Sequence, residues 1–173
     1  LVTPQPPVSS NNPFPDGLVG EIAKHTIASA HRKQPIAALV SALVSVAHFS
    51  RNSFVVEGYD TRLNLYAMLL GDTGSGKDHP LNIGQKLAKT VGLETSCREG
   101  VASGPAILRA LGSAPSLLLS LDEVSGLIKA ANSDSHSYAR DLADEMLKLY
   151  NKAGSIHTGK IYADSKNNVK PIE

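Results

Sequence analysis

The chain contains a glycine-rich stretch, Gly71-Asp72-Thr73-Gly74-Ser75-Gly76-Lys77-Asp78, which is the strongest indicator of its fold. An apolar run at 63–70 precedes it, and a helix is predicted to follow over about 80–91. The glycines let the backbone curl so that successive N–H groups face one point, and the start of a helix adds partial positive charge there. Lys77 supplies a cation for the β- and γ-phosphates of a nucleotide. All residues of 71–78 are therefore predicted to form a phosphate-binding loop.

The loop departs in one position from the pattern G-x-x-x-x-G-K-[ST]. Asp78 stands where a hydroxyl residue normally holds Mg²⁺. A carboxylate is a hard oxygen ligand that can bind Mg²⁺ directly or through water, but it also repels phosphates when metal is absent. Two hypotheses follow: nucleotide affinity depends strongly on Mg²⁺, or the site is degenerate and hydrolyses poorly.

A second apolar run, at 116–121, ends in Asp122 and Glu123. Ligands of open α/β sheets bind at the carboxyl edge of the strands, so both acids are candidate site residues. Asp122 is predicted to contact Mg²⁺ or a water bound to it. Glu123 is predicted to activate the attacking water as a general base, which makes Lys77 and Glu123 the catalytic candidates. Such an acidic pair favours hydrolysis over transfer to a second substrate.

The composition is that of an ordinary globular domain of 173 residues, with 42% hydrophobic and 19% charged residues. A net charge of +1 provides no global attraction for nucleic acid, and the absence of Trp argues against a base-stacking platform. A single cysteine, Cys97, excludes an internal disulfide. The longest apolar stretch, 36–49, is shorter than the roughly 20 residues that span a bilayer.

The chain divides into a Pro-rich extended lead-in at 1–15, a helical hairpin at 16–52 and a P-loop ATPase core at 53–173. Near-continuous apolar runs are typical of strands that helices cover on both faces. The predicted fold is therefore three-layer α/β with a mainly parallel sheet, preceded by the helical hairpin. The predicted strands and later helices lie at 53–57, 63–70, 93–98 and 117–121, and at 105–111 and 139–150.

The loop and the acidic strand end together resemble those of RecA-like P-loop ATPases. Further segments resemble the helicase-like ATPase region of phage and mobile-element primase-helicase replication proteins. These segments are Phe14-Pro15, the Ala-rich hairpin, Asn64-Leu65-Tyr66, Ser103-Gly104-Pro105-Ala106 and Leu147-Lys148-Leu149-Tyr150-Asn151. The resemblance covers roughly 14–160.

This resemblance implies a RecA/DnaB-like motor that uses ATP and Mg²⁺ and assembles as a homo-oligomeric ring on single-stranded DNA. It also implies a primase domain or partner, and the cytoplasm of a bacterium or phage-infected cell. A basic finger from a neighbouring subunit would complete the site, with Arg140, Lys148 and Lys160 as candidates. The family continues into a strand with a γ-phosphate sensor, so this chain is expected to be a C-terminally truncated piece.

Two other functions remain open at this point. A P-loop kinase would need an Arg-rich lid, which the sequence does not display, and a nucleotide-gated assembly or DNA-loading module would bind ATP without hydrolysing it. Residues outside the motifs have plainer interpretations. We interpret 31–33 as a solvated basic turn rather than a DNA contact, and His79 as an exposed residue at a helix start.

Overall fold

The computed structural model describes residues 13–51, 53–59, 61–114, 116–122, 124–132 and 137–172. These ranges contain six helices, two short strands and two 3₁₀ turns. The helices are α1 (Leu18–Ser29), α2 (Pro35–Phe49), α3 (Asp78–Thr90), α4 (Gly104–Leu111), α5 (Val124–Ala131) and α6 (Ser137–Asn151). The strands are β1 (Cys97–Arg98) and β2 (Leu118–Leu119), and the 3₁₀ turns are Glu94–Ser96 and Ser165–Asn167. None of the helices in these ranges is long and apolar enough to cross a membrane.

The helices α1 and α2 pack against each other, as the sequence predicts for 16–52. Their shared core consists of Phe14, Ile22, Ala23, Ala38 and Ala42. Small alanines let the two helix backbones approach closely, and apolar burial of this kind contributes roughly 25 cal/mol per Å². The chain enters α1 through Gly17, whose φ of 89° only glycine adopts without strain.

The helix α3 lies against α2, which fixes where α3 begins. The Ser41 hydroxyl donates to the Pro80 carbonyl at 2.6 Å. Gly84 faces the buried Ser45, and a Cβ at Gly84 would lie 2.8 Å from the Ser45 Oγ. The two helices therefore pack too closely at this point for a side chain at residue 84.

The unit β1–α4–β2 forms the sheet of the described chain. Its strands are parallel, with Cys97 opposite Leu118 and Arg98 opposite Leu119. The Ser120 amide extends the pairing by donating to the Arg98 carbonyl at 2.8 Å. The Leu118 side chain contacts α3 beside Gly84, at 3.9 Å from the Cβ position there. This contact places β2 against the helix that follows the loop.

The prediction of a three-layer, RecA-like P-loop fold with a mainly parallel sheet is wrong. The described chain is mostly helical and its sheet has two strands. The segment 53–57 makes one antiparallel bridge, between Val55 and Arg62, and 63–70 has no regular secondary structure and pairs with no strand of the described chain. Apolar composition indicated burial for 63–70, yet Leu70 is 87% exposed.

The reason lies in the backbone of that segment. A central strand needs hydrogen-bond partners along both edges, and an apolar run does not itself provide them. Side chains attach 63–70 to α6 instead. Asn64 Nδ2 donates to the Tyr150 carbonyl at 2.9 Å, and the Tyr66 hydroxyl donates to the Met146 carbonyl at 2.8 Å. The Tyr66 and Tyr150 rings also contact, with centroids 5.4 Å apart.

A C-terminal antiparallel hairpin packs on α6 through a buried carboxylate, Glu145, which is 2% exposed. The Gly159 amide donates to His157 Nδ1 at 3.1 Å, so His157 Nε2 carries the proton and donates to Glu145 Oε1 at 2.8 Å. Lys160 Nζ binds Asp141 Oδ1 at 2.6 Å and lies 3.7 Å from Glu145 Oε2. Several donors thus satisfy the buried charge and hold the hairpin in place.

Candidate phosphate-binding site

The loop at 71–77 connects the segment 63–70 to α3, which begins at Asp78 rather than near residue 80. Gly74 and Gly76 have φ angles of 72° and 92°, a left-handed region that disfavours other residues. The Ser75 amide donates to the Asp72 carbonyl at 3.1 Å and closes a turn. The loop therefore requires glycine at both positions, as the sequence pattern predicts for a phosphate loop.

Several backbone amides of this loop have no internal partner. In the part of the chain that the structure describes, the N–H groups of Gly74, Gly76 and Lys77 donate to no other group. The first turn of α3 adds further N–H groups that an α-helix cannot satisfy itself. The loop surface is open, because Asp72 and Thr73 are exposed. Such a concentration of donors suits an anion with several oxygens.

Lys77 and Asp78 lie at the junction of the loop and α3. Lys77 is half-buried, and its Nζ reaches back to the Gly71 carbonyl at 3.4 Å, so its ammonium lies across the loop. Asp78 is exposed in the first turn of α3, where a carboxylate also interacts favourably with the helix dipole. Asp78 therefore has a stabilising role in the helix as well as the predicted role in binding Mg²⁺.

The connection between α1 and α2, residues 30–34, contacts the loop directly. Arg32 Nη1 donates to the Gly74 carbonyl, and Gln34 Nε2 donates to the Ser75 carbonyl at 2.8 Å. A Cβ at Gly76 would lie 2.9 Å from the Arg32 Cβ, so the two backbones touch. Residues 31–33 are exposed, as the sequence predicts, but Arg32 is also engaged in this contact with the loop. No local pattern reveals this contact, since 42 residues separate its two partners.

His79 is half-buried rather than exposed, and it extends this contact into α3. The Ser29 hydroxyl donates to the His25 carbonyl at 2.9 Å, so it accepts a hydrogen bond from His79 Nε2, 3.0 Å away. The hydrogen bond assigns the proton of the neutral ring to Nε2. His79 therefore anchors the first turn of α3 to the end of α1.

The acidic strand end is only partly described. The predicted strand at 117–121 is the short β2, Asp122 follows it as an exposed residue, and Glu123 lies outside the described residues. No group of three or more His, Cys, Asp or Glu side chains suited to a metal occurs in the described ranges. Mg²⁺ at nucleotide sites is bound by one or two carboxylates together with phosphates and water. Asp78, next to the loop, fits that requirement.

The three candidates for a basic finger have different surroundings. Lys160 is engaged within its own chain, and its hydrogen bond to Asp141 raises the pKa of its ammonium. The Lys148 side chain is 59% exposed and lies 3.8 Å from Glu145 Oε2. Arg140 is exposed, with its Nε 3.5 Å from the Ala131 carbonyl. Lys160 is therefore the least suited of the three to reach a neighbouring subunit.

The side chains of His48 and Cys97 are also potentially reactive, but their contacts indicate a structural role. His48 is 4% exposed between Ser96 Oγ at 3.0 Å and Ser116 Oγ at 2.9 Å, and burial, reinforced by Arg51, lowers its pKa. Burial raises the pKa of the Cys97 thiol, which disfavours the nucleophilic thiolate. His48 therefore links α2 to the sheet region as a neutral ring.

The loop, Lys77 and the start of α3 thus combine hydrogen-bond donors with positive charge, which is the requirement for holding phosphate groups. The described acids add Asp78 beside the loop and Asp122 after a strand that contacts α3. No protein-family model, curated protein or solved structure matches this chain.

Proposed function

We propose that the loop at 71–78 binds the phosphates of ATP together with Mg²⁺. One observation carries the proposal: the amides of Gly74, Gly76 and Lys77 have no partner within the described chain, and they lie beside the Lys77 ammonium at the start of a helix. Unpaired amides are costly once water is excluded, and phosphate oxygens are suitable acceptors for all of them.

In this proposal each side chain has a defined task in hydrolysis. Lys77 leaves the Gly71 carbonyl and neutralises phosphate charge, while Asp78 and Asp122 hold Mg²⁺. Mg²⁺ held there would supply positive charge that reduces the repulsion among the phosphates. Glu123 removes a proton from the attacking water as its oxygen bonds to the γ-phosphorus, and the bond to the β-γ bridging oxygen breaks to release ADP.

We further propose that the complete protein is a DNA replication helicase or related motor in a bacterial or phage-infected cytoplasm. The support is the motif resemblance to primase-helicase proteins. Two of the similar segments contact each other, since Asn64 and Tyr66 bind the Tyr150 region of α6. Under this proposal a homo-oligomeric ring surrounds single-stranded DNA, a primase domain or partner is associated, and Arg140 or Lys148 reaches the neighbouring site.

A second candidate is a nucleotide-gated assembly or DNA-loading module that does not hydrolyse ATP. Asp78 favours it, because this carboxylate replaces a hydroxyl ligand and adds negative charge beside the phosphates. The two candidates share ATP binding and differ in phosphate release. No observation in the described chain favours the third candidate, a P-loop kinase.

Calorimetry of ATP binding, with Mg²⁺ and with EDTA, tests the site. We expect micromolar binding that requires Mg²⁺, is lost in Lys77→Ala and is kept in Lys86→Ala, which removes an exposed lysine of the same helix. Equal binding with and without Mg²⁺ would contradict the metal role of Asp78. Absence of wild-type binding in both conditions would refute the proposed function. If the wild type releases phosphate from ATP, and Glu123→Gln binds ATP but releases no phosphate, hydrolysis is supported. If the wild type binds ATP but releases no phosphate, the second candidate is supported.

A further inference from the structure

The connection between α1 and α2 contacts the loop at the two carbonyls that determine the orientation of its peptide groups. We propose that Arg32 and Gln34 are positioning residues of the phosphate site, which hold the loop in its binding conformation before the nucleotide arrives. This inference rests on the proposed function of the loop. Neither residue belongs to the loop motif, and they lie about 40 residues before it in the chain.

Peptide geometry explains how bonds to carbonyls direct amides. In a trans peptide the C=O of one residue and the N–H of the next point in opposite directions. Gln34 Nε2 holds the Ser75 carbonyl at 2.8 Å, so the Gly76 N–H points away from the α1–α2 connection. This is one of the loop amides that lack a partner in the described chain. Gln34 therefore presents a phosphate donor without contacting phosphate.

Arg32 acts in the same way on the preceding peptide. Its guanidinium binds the Gly74 carbonyl, which orients the Ser75 N–H toward the Asp72 carbonyl, 3.1 Å away. That hydrogen bond closes the turn over residues 72–75, in which Gly74 has its left-handed φ of 72°. Arg32 takes part in none of the ion pairs among the described residues. Its positive charge is therefore directed to the loop rather than to a carboxylate.

The connection is rigid enough to serve as a support. Gln34 immediately precedes α2, and Ser29 ends α1, so both residues are fixed by the packed helices. The Ser29–His79 hydrogen bond of 3.0 Å and the Ser41–Pro80 hydrogen bond of 2.6 Å attach α3 to the same helices. The hairpin of α1 and α2 thus holds the loop at residues 74 and 75 and holds the start of α3 at residues 79 and 80. Between these points, Gly76 touches the Arg32 backbone.

The test compares the Mg²⁺–ATP dissociation constants of single variants, well below their melting temperatures. Arg32→Met removes the guanidinium, and Gln34→Glu keeps the shape of Gln34 but removes its donor. Lys33→Met is the matched control, because Lys33 is exposed, has no hydrogen bond or ion pair in the described chain, and lies between the two. We expect about five-fold or greater loss of affinity in Arg32→Met and Gln34→Glu, the factor for one typical hydrogen bond. Lys33→Met should bind as wild type.

Arg32→Lys provides the rescue, because its ammonium can still donate to the Gly74 carbonyl, and we expect it to recover most of the affinity. Normal affinity in Arg32→Met and Gln34→Glu, with or without a lower melting temperature, would overturn the positioning role and leave the proposed function intact. Equal losses in Lys33→Met would also overturn it, since the effect would then not depend on the two contacts. Absence of wild-type binding would overturn both the proposed function and this inference.

Discussion

Gly76→Ala tests whether the conformation of the loop, and not only its sequence, determines phosphate binding. Gly76 has a φ of 92°, and an added Cβ would lie 2.9 Å from the Arg32 Cβ and 3.2 Å from the Arg32 carbonyl oxygen. A left-handed backbone costs about 1–2 kcal/mol for a residue with a side chain. The contact with Arg32 adds to that cost, because a backbone atom cannot rotate away as a flexible side chain can.

Whether the substitution lowers the free energy of unfolding or the affinity for ATP depends on whether the loop changes its conformation. If the variant keeps the native loop, the free energy of unfolding falls by about 1–2 kcal/mol, or roughly 2–8 °C in melting temperature for a chain of this size. If the free loop relaxes instead, the same free energy must be supplied when ATP binds, and affinity falls by about 5–30-fold. The contact with Arg32 favours relaxation, so we expect the larger effect in affinity.

Gly92→Ala is the matched control for this prediction. Gly92 has a φ of 75°, no atom lies within 4 Å of its Cβ position, and it follows α3 at the end opposite the loop. We expect a comparable loss of stability and unchanged ATP affinity. Calorimetric titration with Mg²⁺–ATP and thermal denaturation measure both quantities. Wild-type affinity in Gly76→Ala, or an equal loss of affinity in Gly92→Ala, would refute the reasoning.

Two further predictions concern the fold. Burial lowers the pKa of His48, so the folded chain binds this proton less readily than the unfolded chain. Its contribution to stability is fully present above about pH 6.5, the unperturbed value, and falls as the pH drops from there toward the depressed pKa. Denaturant titrations across pH 5–8 should show this slope reduced in His48→Gln but kept in His25→Gln, which alters an exposed histidine. Separately, Glu145→Ala leaves the largely buried His157 N–H unpaired and should cost about 1–3 kcal/mol of unfolding free energy. Glu21→Ala breaks an exposed ion pair and should change it by less than about 1 kcal/mol. Equal changes in unfolding free energy for the two variants would show that the hydrogen bond between Glu145 and His157 does not stabilise the fold more than an exposed ion pair does.

Local patterns predicted the elements that depend on neighbouring residues. The two N-terminal helices, the helix after the loop and the curled backbone at the loop glycines follow from short-range sequence signals. Two predicted strands also pair in parallel, although only Cys97–Arg98 and Leu118–Leu119 form ladder pairs. Helical periodicity and glycine conformation act within a few residues, so the sequence reports them directly.

The prediction of the sheet was wrong because the pairing of strands depends on segments that are distant in the sequence. The run at 63–70 reads as a central strand, yet its described contacts are to α6, through Asn64 and Tyr66. Strand pairing needs hydrogen-bonding partners on both edges, and composition does not identify them. Sequence reasoning missed Arg32 and Gln34 for the same reason, because nothing near either residue indicates a contact with residues 74 and 75.

The glycine-rich loop with a lysine at the start of a helix is predictable from the sequence, because the loop's φ angles and the helix start depend on adjacent residues. The contacts that hold that loop become visible only in the folded chain. The tertiary structure places the α1–α2 connection against the Gly74 and Ser75 carbonyls and leaves 63–70 outside the sheet. Both results depend on hydrogen bonds between segments far apart in the chain, which only packing of the whole domain can bring together.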